Sequence, residues 1–355
     1  DEFAVLLKNV ERPQAERVAA EFLRAIRTRE LPIEGQRATM TTSIGIALFG
    51  DSQPQAEDLL VNADLAMYEA KDAGGNRFEV AADDGEHLAG MQARLGWVER
   101  IRRALEEDRF VLHAQPILDL QTDTISQYEL LLRLMDDTGD LVPPAVFIPT
   151  AERFGLIQEI DRWVIHKAIA LLCDSGRRGE KFRLEVNVSG RSLADPELPT
   201  FVEHELAAAA VDPGRLVFEI TETAAIANME QARVFADRMT SLGCCFALDD
   251  FGAGFSSFYY LKYLPLDYLK IDGDFIKSII NSTTDQLVVK AMVEIARGMG
   301  MKTIAEFVED PETVEMLRAK GVDYSQGYFH GVPRPVADVL PLATIPEPAL
   351  DPLIP

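Results

Sequence analysis

The stretch CCFALDDFG, residues 244–252, joins an apolar run to two adjacent aspartates, and the same pattern recurs through most of the chain. A short, β-rich apolar run of this kind predicts a buried strand. Seven further segments combine such a run with polar residues near its end. In chain order they are FVLHAQPIL (110–118), YELLLRLM (128–135), RLEVNVSG (183–190), RLVFEITE (215–222), YLKIDG (268–273), KTIAEFVE (302–309) and YSQGYFHG (324–331).

The helical patterns that separate most of these segments predict the fold of the region. Strands that alternate with helices require right-handed crossovers and a mostly parallel sheet. Eight such strands fit a (β/α)8 TIM-like barrel better than an open sheet. The first two strands are joined only by DLQTDTISQ (119–127), which is too short for a helical crossover. We therefore expect an α/β barrel with an antiparallel first strand.

The residues before the barrel predict a smaller α/β unit. EFAVLL (2–7), ATMTTSIGIALF (38–49) and NRFEVA (76–81) have strand patterns, while residues 15–26 and 56–75 have helical ones. The opening residues read as the middle of a strand pair, so we expect a longer parent protein. We divide the chain into this partial unit (1–82), a linker and lead-in helix (83–108), the barrel (109–340) and a proline-rich tail (341–355).

The charge balance, the cysteines and the lengths of the apolar runs indicate which partners and which cellular setting to expect. The 355 residues carry 58 acidic and 35 basic side chains, for a net charge of −23, which argues against general affinity for DNA, RNA or anionic membranes. Cys173, Cys244 and Cys245 form no disulfide framework and favour a reducing, cytoplasmic setting. No apolar run within the chain is long enough to span a membrane, although the parent protein has room for sensory or membrane segments upstream.

Polar residues lie late in every one of the eight segments, where a barrel enzyme has its active site. Most of them are carboxylates or amides, and hard oxygen ligands favour Mg²⁺ or Mn²⁺ over zinc. Two such ions give the layout of a two-metal phosphoryl site, in which lysine and arginine hold phosphate oxygens. The candidate residues are Gln115, Glu129, Arg133, Asn187, Glu219, Glu222, Asp249, Asp250, Lys270, Asp272, Glu306, Glu309 and Gln326.

Each of these residues taken alone has a structural explanation. A carboxylate at a strand end commonly caps a helix, so Asp249 could be an N-cap, and Lys270 could be a solvated surface lysine. The set as a whole is harder to explain in this way, because converging carboxylates repel one another unless cations lie among them. We therefore expect a site that contains metal ions.

Seven motifs in register carry a resemblance to a known family. They are YELLLR (128–133), NVSGRSL (187–193), FEITET (218–223), LDDFGAGFSS (248–257), LKIDGDFI (269–276), TIAEFVE (303–309) and SQGYFHG (325–331). Over residues 92–340 the chain resembles the EAL phosphodiesterases, which hydrolyse the bacterial messenger cyclic di-GMP to linear pGpG. The resemblance implies the barrel fold described above, two Mg²⁺ or Mn²⁺ ions, and a homodimer formed through barrel helices beside the loop after Asp250.

The resemblance also assigns roles to the polar residues. It implies that Lys270 positions and activates the attacking water, that Glu222 anchors the loop after the paired aspartates, and that turnover depends on Glu129, Lys270 and Glu306. The ligands of one ion correspond to Glu129, Asn187, Glu219 and Asp249, and those of the other to Asp249 and Asp250 with Glu306 close by. The phosphate and guanine contacts correspond to Gln115, Arg133, Asp272, Glu309 and Gln326.

The first 82 residues resemble the C-terminal half of a GGDEF domain, the diguanylate cyclase type. Their closing pattern, SIGIALF (43–49) with ADLAMYEAKDAGGNRF (63–78), carries the likeness. The chain lacks the earlier metal-binding aspartate and phosphate loop that a cyclase needs. Lys71 is retained, but Gly75 stands where the family commonly has an arginine for the triphosphate. This half is therefore not expected to be a working cyclase.

Departures from the EAL pattern leave every implied ligand in place. Leu130 stands for the usual alanine, Ala253 for the alternative threonine or serine, and Phe307 for the glycine of AEGVE. The competing interpretation is a silent receptor that binds cyclic di-GMP without cleaving it, although such modules usually lose acidic ligands. Product formation from cyclic di-GMP discriminates between the enzyme and the receptor.

Overall fold

The computed structural model describes residues 3–8, 10–28, 30–33, 36–39, 41–49, 59, 63, 66–67, 70, 75–81, 87–136, 139–177, 179–252 and 260–340. The chain forms two compact units, Asp1–Gly96 and Trp97–Pro355. The predicted boundaries at residues 82 and 108 stay predictions. Lys71, Ala253 and the predicted tail, residues 341–355, lie outside the described residues.

The first unit contains a helix and two short strand pairs among its described residues. The helix is α1 (Arg12–Thr28), the antiparallel pair is β1 (Glu30–Ile33) with β2 (Gln36–Thr39), and the parallel pair is β3 (Ile44–Ile46) with β4 (Phe78–Val80). The strand patterns over 38–49 and 76–81 thus yield short strands, and the β1–β2 hairpin is not predicted by the sequence patterns. Of the helix predicted over 56–75, only scattered residues are described, and those between positions 59 and 70 are helical.

The strand predicted for EFAVLL is wrong in the part that the structure describes. Residues 3–7 form no strand, and Phe3 and Leu6 are 90% and 67% exposed. A strand needs a neighbour to satisfy its backbone hydrogen bonds, and no described residue pairs with this segment. The apolar pattern is present, but its partner is not among the described residues.

The second unit supplies the barrel and the helices around it. The strands are β5 (Phe110–Asp119), β6 (Thr124–Met135), β7 (Leu141–Val142), β8 (Arg183–Asn187), β9 (Leu216–Thr221), β10 (Cys245–Phe251), β11 (Tyr268–Ile271), β12 (Lys302–Ala305), β13 (Tyr324–Gln326) and β14 (Arg334–Pro335). The helices, from the lead-in helix onward, are α2 (His87–Glu106), α3 (Pro144–Arg153), α4 (Ile157–Arg177), α5 (Gly190–Leu193), α6 (Leu198–Ala209), α7 (Glu222–Ala227), α8 (Met229–Leu242), α9 (Gly273–Lys277), α10 (Thr283–Gly298), α11 (Pro311–Lys320) and α12 (Val336–Val339).

In the described part of the chain, eight strands close into a barrel in the order β5, β6, β8, β9, β10, β11, β12, β13, and β13 pairs back with β5. The strand β5 is antiparallel to both of its neighbours, while the other adjacent pairs are parallel. Asp119 closes the short turn after β5, because its carboxylate accepts hydrogen bonds from the backbone N–H groups of Gln121 and Thr122. The predicted barrel with an antiparallel first strand is confirmed.

Apolar side chains fill two separate spaces in this unit. The larger cluster lies between the strands and the surrounding helices, where Phe235 of α8 packs its ring 5.5 Å from that of Phe218 and 6.0 Å from that of Phe246. The smaller cluster fills part of the barrel interior and consists of Ile117, Val217, Ala247, Tyr268, Ile304 and Tyr324.

Among the described residues, no helix has the length and apolar character needed to cross a membrane.

Candidate active site

The ammonium group of Lys270 lies at the centre of a ring of carboxylates inside the barrel. Its Nζ is 2.6 Å from Oε1 of Glu219, 2.8 Å from Oε1 of Glu306, 3.4 Å from Oδ1 of Asp249 and 3.6 Å from Oε2 of Glu129. Four of these residues lie on β6, β9, β10 and β11, Glu306 directly follows β12, and Lys270 is 1% exposed. The structure therefore brings together the catalytic lysine predicted from the sequence and four of the predicted acidic ligands.

Burial and mutual repulsion set the electrostatics of this ring. Burial lowers the pKa of Lys270, but the surrounding carboxylates, Asp249 first, outweigh burial and raise that pKa well above its ordinary value. Burial also raises the pKa of Glu219 well above its usual range, with Lys270 opposing the shift and Asp249 adding to it. One ammonium group thus compensates only part of the negative charge that these strand ends collect.

Glu129 connects the ring to the remaining amide side chains. Its Oε1 accepts a hydrogen bond of 2.9 Å from Asn187 Nδ2, and its Oε2 accepts one of 2.6 Å from Gln326 Nε2. Gln326 Nε2 also lies 3.1 Å from Oε1 of Gln115, whose own amide donates to the carbonyl of Gly331. The contacts fix the orientation of the Glu129 carboxylate from both sides.

Three carboxylates at this end of the barrel fit a divalent cation. Asp249, Asp250 and Glu306 each offer an oxygen, and the three oxygens lie within 4.8 Å of one another. Asp249 Oδ1 is buried and accepts no hydrogen bond from the residues that the structure describes, although it lies 3.4 Å from Lys270 Nζ. Burial, followed by the charge of Asp249, raises the pKa of Asp250 to about 6, while burial is the main cause that raises the pKa of Glu306 to about 8. Clustered oxygen donors with such raised pKa values suit a hard cation such as Mg²⁺ or Mn²⁺.

Two residues beside this cluster have left-handed backbone conformations without being glycine. Asp250, near the end of β10, and Phe307, just after β12, both have φ of 55°. Such conformations cost free energy, and they concentrate at sites where a side chain must be held in a particular direction. At Asp250 the turn brings a second carboxylate next to that of Asp249.

Glu222, predicted as an anchor for the loop after the paired aspartates, contacts the first residue beyond β10, and its anchoring role stays a prediction. Its Oε2 accepts a hydrogen bond of 3.0 Å from the backbone N–H of Gly252. Glu222 is 4% exposed and begins α7, whose N-cap is the side chain of Thr221. Residues 253–259 lie outside the described residues.

The other predicted contact residues lie at the same end of the barrel without joining the central network. Arg133 Nη1 donates to the carbonyl of Leu132, and the guanidinium also experiences the charge of Glu129. Asp272 caps α9, since its Oδ1 accepts a hydrogen bond of 2.8 Å from the backbone N–H of Asp274. Glu309 is exposed, three residues after Glu306. Their binding roles stay predictions.

Two buried carboxylates near the site are not among the predicted residues. Glu185 is fully buried on β8, neither of its carboxylate oxygens is hydrogen-bonded within the described part of the chain, and burial is the main cause that raises its pKa to about 7. Asp161 of α4 accepts a 3.0 Å hydrogen bond from the backbone N–H of Ser189, two residues after Asn187. The period-two pattern of β8 places Glu185 on the same face as Asn187, and that signal was present in the sequence.

Comparison with known proteins agrees with this geometry. Residues 98–333 match the family model described as EAL domain. The chain belongs to the EAL domain family. Residues 1–77 match the model of the GGDEF domain, described as diguanylate cyclase, so the N-terminal part is a partial GGDEF domain. Both resemblances inferred from the motifs are confirmed.

A curated relative and two solved structures illustrate the likeness of this EAL chain. Cyclic di-GMP phosphodiesterase PdeB of Shewanella oneidensis is 38% identical over 296 residues, which are 83% of this chain and 35% of PdeB, so the chain spans about a third of that relative. The PaMucR phosphodiesterase in complex with c-di-GMP has a TM-score of 0.65 at 32% identity and covers 69% of this chain and 100% of its own. The FimX EAL domain from Pseudomonas aeruginosa, bound to c-di-GMP, has a TM-score of 0.63 at 34% identity and covers 67% and 96%.

The departures from the EAL pattern lie in different environments. Leu130, in place of alanine, is 2% exposed and packs in the larger apolar cluster behind the strand. Phe307, in place of glycine, is 53% exposed and lies next to Glu306. The first substitution belongs to the core, whereas the second changes the surface of the site.

Proposed function

We propose that the EAL barrel of this chain hydrolyses one 3′,5′-phosphodiester bond of cyclic di-GMP and releases linear pGpG. The observation that carries the proposal is the contact of Lys270 with Glu129, Glu219, Asp249 and Glu306 at the strand ends. PdeB, whose name states this activity, supports the proposal through its identity over most of the chain.

The acidic residues would hold two divalent cations, Mg²⁺ or Mn²⁺. When bound, such ions lower the pKa of a coordinated water and stabilise negative charge on phosphoryl oxygens. The fit rests on the cluster of Asp249, Asp250 and Glu306 and on two buried oxygens, Oδ1 of Asp249 and Oε2 of Glu219, that accept no hydrogen bond from the described residues. One ion would be held by Glu129, Asn187, Glu219 and Asp249, and the other by Asp249, Asp250 and Glu306.

The protein's own groups would position the reactants. Lys270, whose raised pKa keeps it protonated, donates hydrogen bonds and so orients the attacking water, while Glu306, 2.8 Å from its Nζ, helps to hold the ammonium group in place. The water loses a proton as its oxygen forms a bond to phosphorus, the bond from phosphorus to the 3′ oxygen breaks, and that oxygen takes up a proton. The phosphate and guanine contacts would come from Gln115, Arg133, Asp272, Glu309 and Gln326.

Chromatography of the nucleotides after incubation with cyclic di-GMP and Mg²⁺ or Mn²⁺ tests the proposal. We expect pGpG to form and a chelator to suppress it. Glu129→Ala should lower turnover at least about 100-fold, since even the partners of metal ligands are worth 10- to 100-fold. Glu230→Ala, at a side chain 71% exposed on α8, is the matched control.

Two outcomes would contradict this assignment. Substantial turnover by Glu129→Ala would exclude Glu129 from the site. Tight binding of cyclic di-GMP without any product, with either metal, would identify a receptor instead of an enzyme.

The same proposal includes the assembly and the setting of the chain. A homodimer through the barrel is supported by exposed apolar side chains on two barrel helices: Ile226 and Val234, on α7 and α8, are 49% and 53% exposed. Light scattering should then give twice the mass of the chain. The cysteines at 173, 244 and 245 are free, which agrees with a reducing, cytoplasmic setting.

A further inference from the structure

Two cations lie at the N-terminal mouth of the barrel, the end at which the parallel strands begin and the end opposite the candidate active site. Arg183 begins β8 and Lys302 begins β12, each two residues before an interior side chain, Glu185 or Ile304. Both therefore lie on the interior side of their strands. Within the described part of the chain, neither forms an ion pair with a carboxylate. In a chain with a net charge of −23, two unpaired cations at one mouth are unexpected.

The two cations reach this mouth from opposite sides of the barrel and converge on it. The strands β9, β10 and β11 lie between β8 and β12 in one direction, and β13, β5 and β6 in the other. The hydrogen bond to Tyr324 is the main cause that raises the pKa of Lys302, and the charge of Arg183 opposes this rise. Burial raises the pKa of Tyr268 on β11, and Arg183 opposes that rise as well. The guanidinium group thus acts on side chains across the mouth.

Two tyrosines add hydrogen-bond donors between the cations. Tyr268 and Tyr324 are 4% and 3% exposed, and their ring centroids lie 6.0 Å apart. Lys302 Nζ donates a 3.0 Å hydrogen bond to the hydroxyl oxygen of Tyr324, so the hydroxyl hydrogen of Tyr324 remains a donor. The hydroxyl of Tyr268 forms no hydrogen bond with the described residues, and Arg183 uses only Nε, which donates to the carbonyl of Gly214. Several donors at this mouth therefore lack an acceptor from the described part of the chain.

Two aspartates near the mouth are bound to backbone donors instead of to the cations. Each directly precedes one of the two tyrosines, so alternation along the strand directs it away from the interior side. Asp267 Oδ2 accepts a 2.9 Å hydrogen bond from the backbone N–H of Phe246, and Asp323 Oδ2 accepts one of 2.9 Å from that of Thr303. Asp323 adds to the raised pKa of Lys302 without forming an ion pair with it. The positive charge at the mouth is therefore only partly compensated.

We propose that the N-terminal mouth binds a phosphate group, either as the free ion or as the monoester group of a small metabolite. A phosphate group carries about two negative charges and several acceptor oxygens, which match the two cations and the two tyrosine hydroxyls. The guanidinium group offers its two Nη atoms as a planar fork, and the ammonium group offers a compact charge. Since this mouth lies at the opposite end of the strands from the acidic ring, the proposal does not depend on the proposed function.

Calorimetric titration with inorganic phosphate, in buffer free of divalent metal, tests the proposal. We expect the unaltered chain to bind one phosphate. Lys302→Gln should weaken binding at least about tenfold, since a hydrogen bond to a charged group is worth that much, and it should fold because the side chain is exposed. Arg183→Lys keeps the charge but removes the planar fork, so it should also weaken binding. Lys290→Gln, at a side chain 58% exposed on α10, is the matched control and should bind as the unaltered chain does.

Arg133, the predicted phosphate contact at the active-site end, separates the two ends of the barrel. Arg133→Gln should bind phosphate as tightly as the unaltered chain. The proposal would be overturned if the unaltered chain gave neither binding heat nor a rise in melting temperature with phosphate. Loss of binding in Arg133→Gln, with binding intact in Lys302→Gln, would place the phosphate at the active-site end and also overturn it. Equal losses in Lys302→Gln and Lys290→Gln would contradict it as well, because they would reflect net charge alone.

A second titration, with glycerol 1-phosphate, identifies the source of the phosphate group. Binding at least as tight as that of inorganic phosphate would indicate a phosphomonoester, and weaker binding would indicate the free ion. Either result supports the proposal if Lys302→Gln weakens it.

Discussion

The barrel interior contains two layers that the same strands build two residues apart, and the layers differ in chemistry. On four parallel strands the earlier residue is Val217, Ala247, Tyr268 or Ile304, and the residue two positions later is Glu219, Asp249, Lys270 or Glu306. The first set packs as an apolar cluster, and the second forms the charged ring. Because side chains alternate along a strand, residues two positions apart both face the barrel interior. Each strand can therefore contribute one residue to the apolar layer and one to the charged site.

Stability and activity should therefore depend on different layers of this barrel. Burial of apolar surface stabilises the apolar layer. The charged layer is stabilised by the attraction between the ammonium group of Lys270 and the surrounding carboxylates. Substitutions in the two layers should therefore have different signatures.

Replacement of Lys270, whose ammonium group lies at the centre of the ring, should have the largest effect on stability and turnover. Lys270→Met leaves four carboxylates facing one another, and breaking one side of a buried ion pair costs about 3–5 kcal/mol of unfolding free energy. Turnover of cyclic di-GMP should fall by about 10²- to 10⁴-fold, the usual worth of a positioned acid–base group. Denaturant unfolding and product chromatography measure the two effects, and a variant with unaltered stability would show that Lys270 is not what compensates the ring.

A pair of substitutions, one on β12 and one directly after it, tests the separation of the layers. Ile304→Ala opens a cavity in the apolar layer, so we expect a loss of about 2–5 kcal/mol in stability with kcat nearly unchanged. Glu306→Gln keeps the shape of the side chain, so it should lower turnover about 10- to 100-fold while stability changes by about 1 kcal/mol or less. If both variants lost stability and activity in the same proportion, the two layers would be one cooperative unit.

A smaller, pH-dependent effect is expected at Asp161, which supports the charged layer from outside the barrel. Burial raises its folded pKa from 3.8 to about 6, partly opposed by hydrogen bonds from Ser192 and Ser189, and Glu152 adds to the rise. The folded state therefore binds the proton more tightly, so this group stabilises the fold below about pH 4 and that contribution is lost as the pH rises through about 6. Asp161→Asn cannot ionise and should gain stability relative to the unaltered chain by up to about 3 kcal/mol between pH 4 and pH 7. Chemical denaturation at both pH values checks this, and a difference that does not vary with pH would contradict it.

Much of the barrel could be predicted from the sequence because its strands carry strong local patterns. Apolar runs with polar residues at their ends gave the eight strands, and the short segment after Asp119 gave the antiparallel first strand. The same patterns indicated that residues such as Glu129 and Gln326 would meet, although they are 197 positions apart. The pattern predicts at which end of the barrel a side chain lies.

The remaining features depend on neighbours that local patterns do not reveal. The position of Lys270 among four carboxylates follows from the order in which strands close, and the cap formed by Asp272 follows from the turn into α9. The apolar pattern of residues 2–7 predicted a strand, but pairing depends on a partner elsewhere. Glu185 looked like one polar residue in a strand, and its burial emerges only when the barrel encloses it.

The hydrogen bonds of Gln326 carry a consequence for how the protein matures. They join β13, the last strand of the barrel, to Gln115 of its first strand and to Glu129 of its second. During synthesis, Glu129 therefore cannot form its hydrogen bond with Gln326 until almost the whole barrel has been made. An incomplete or partly unfolded chain lacks an oriented Glu129, so the proposed phosphodiesterase activity would be expected only after the barrel is complete.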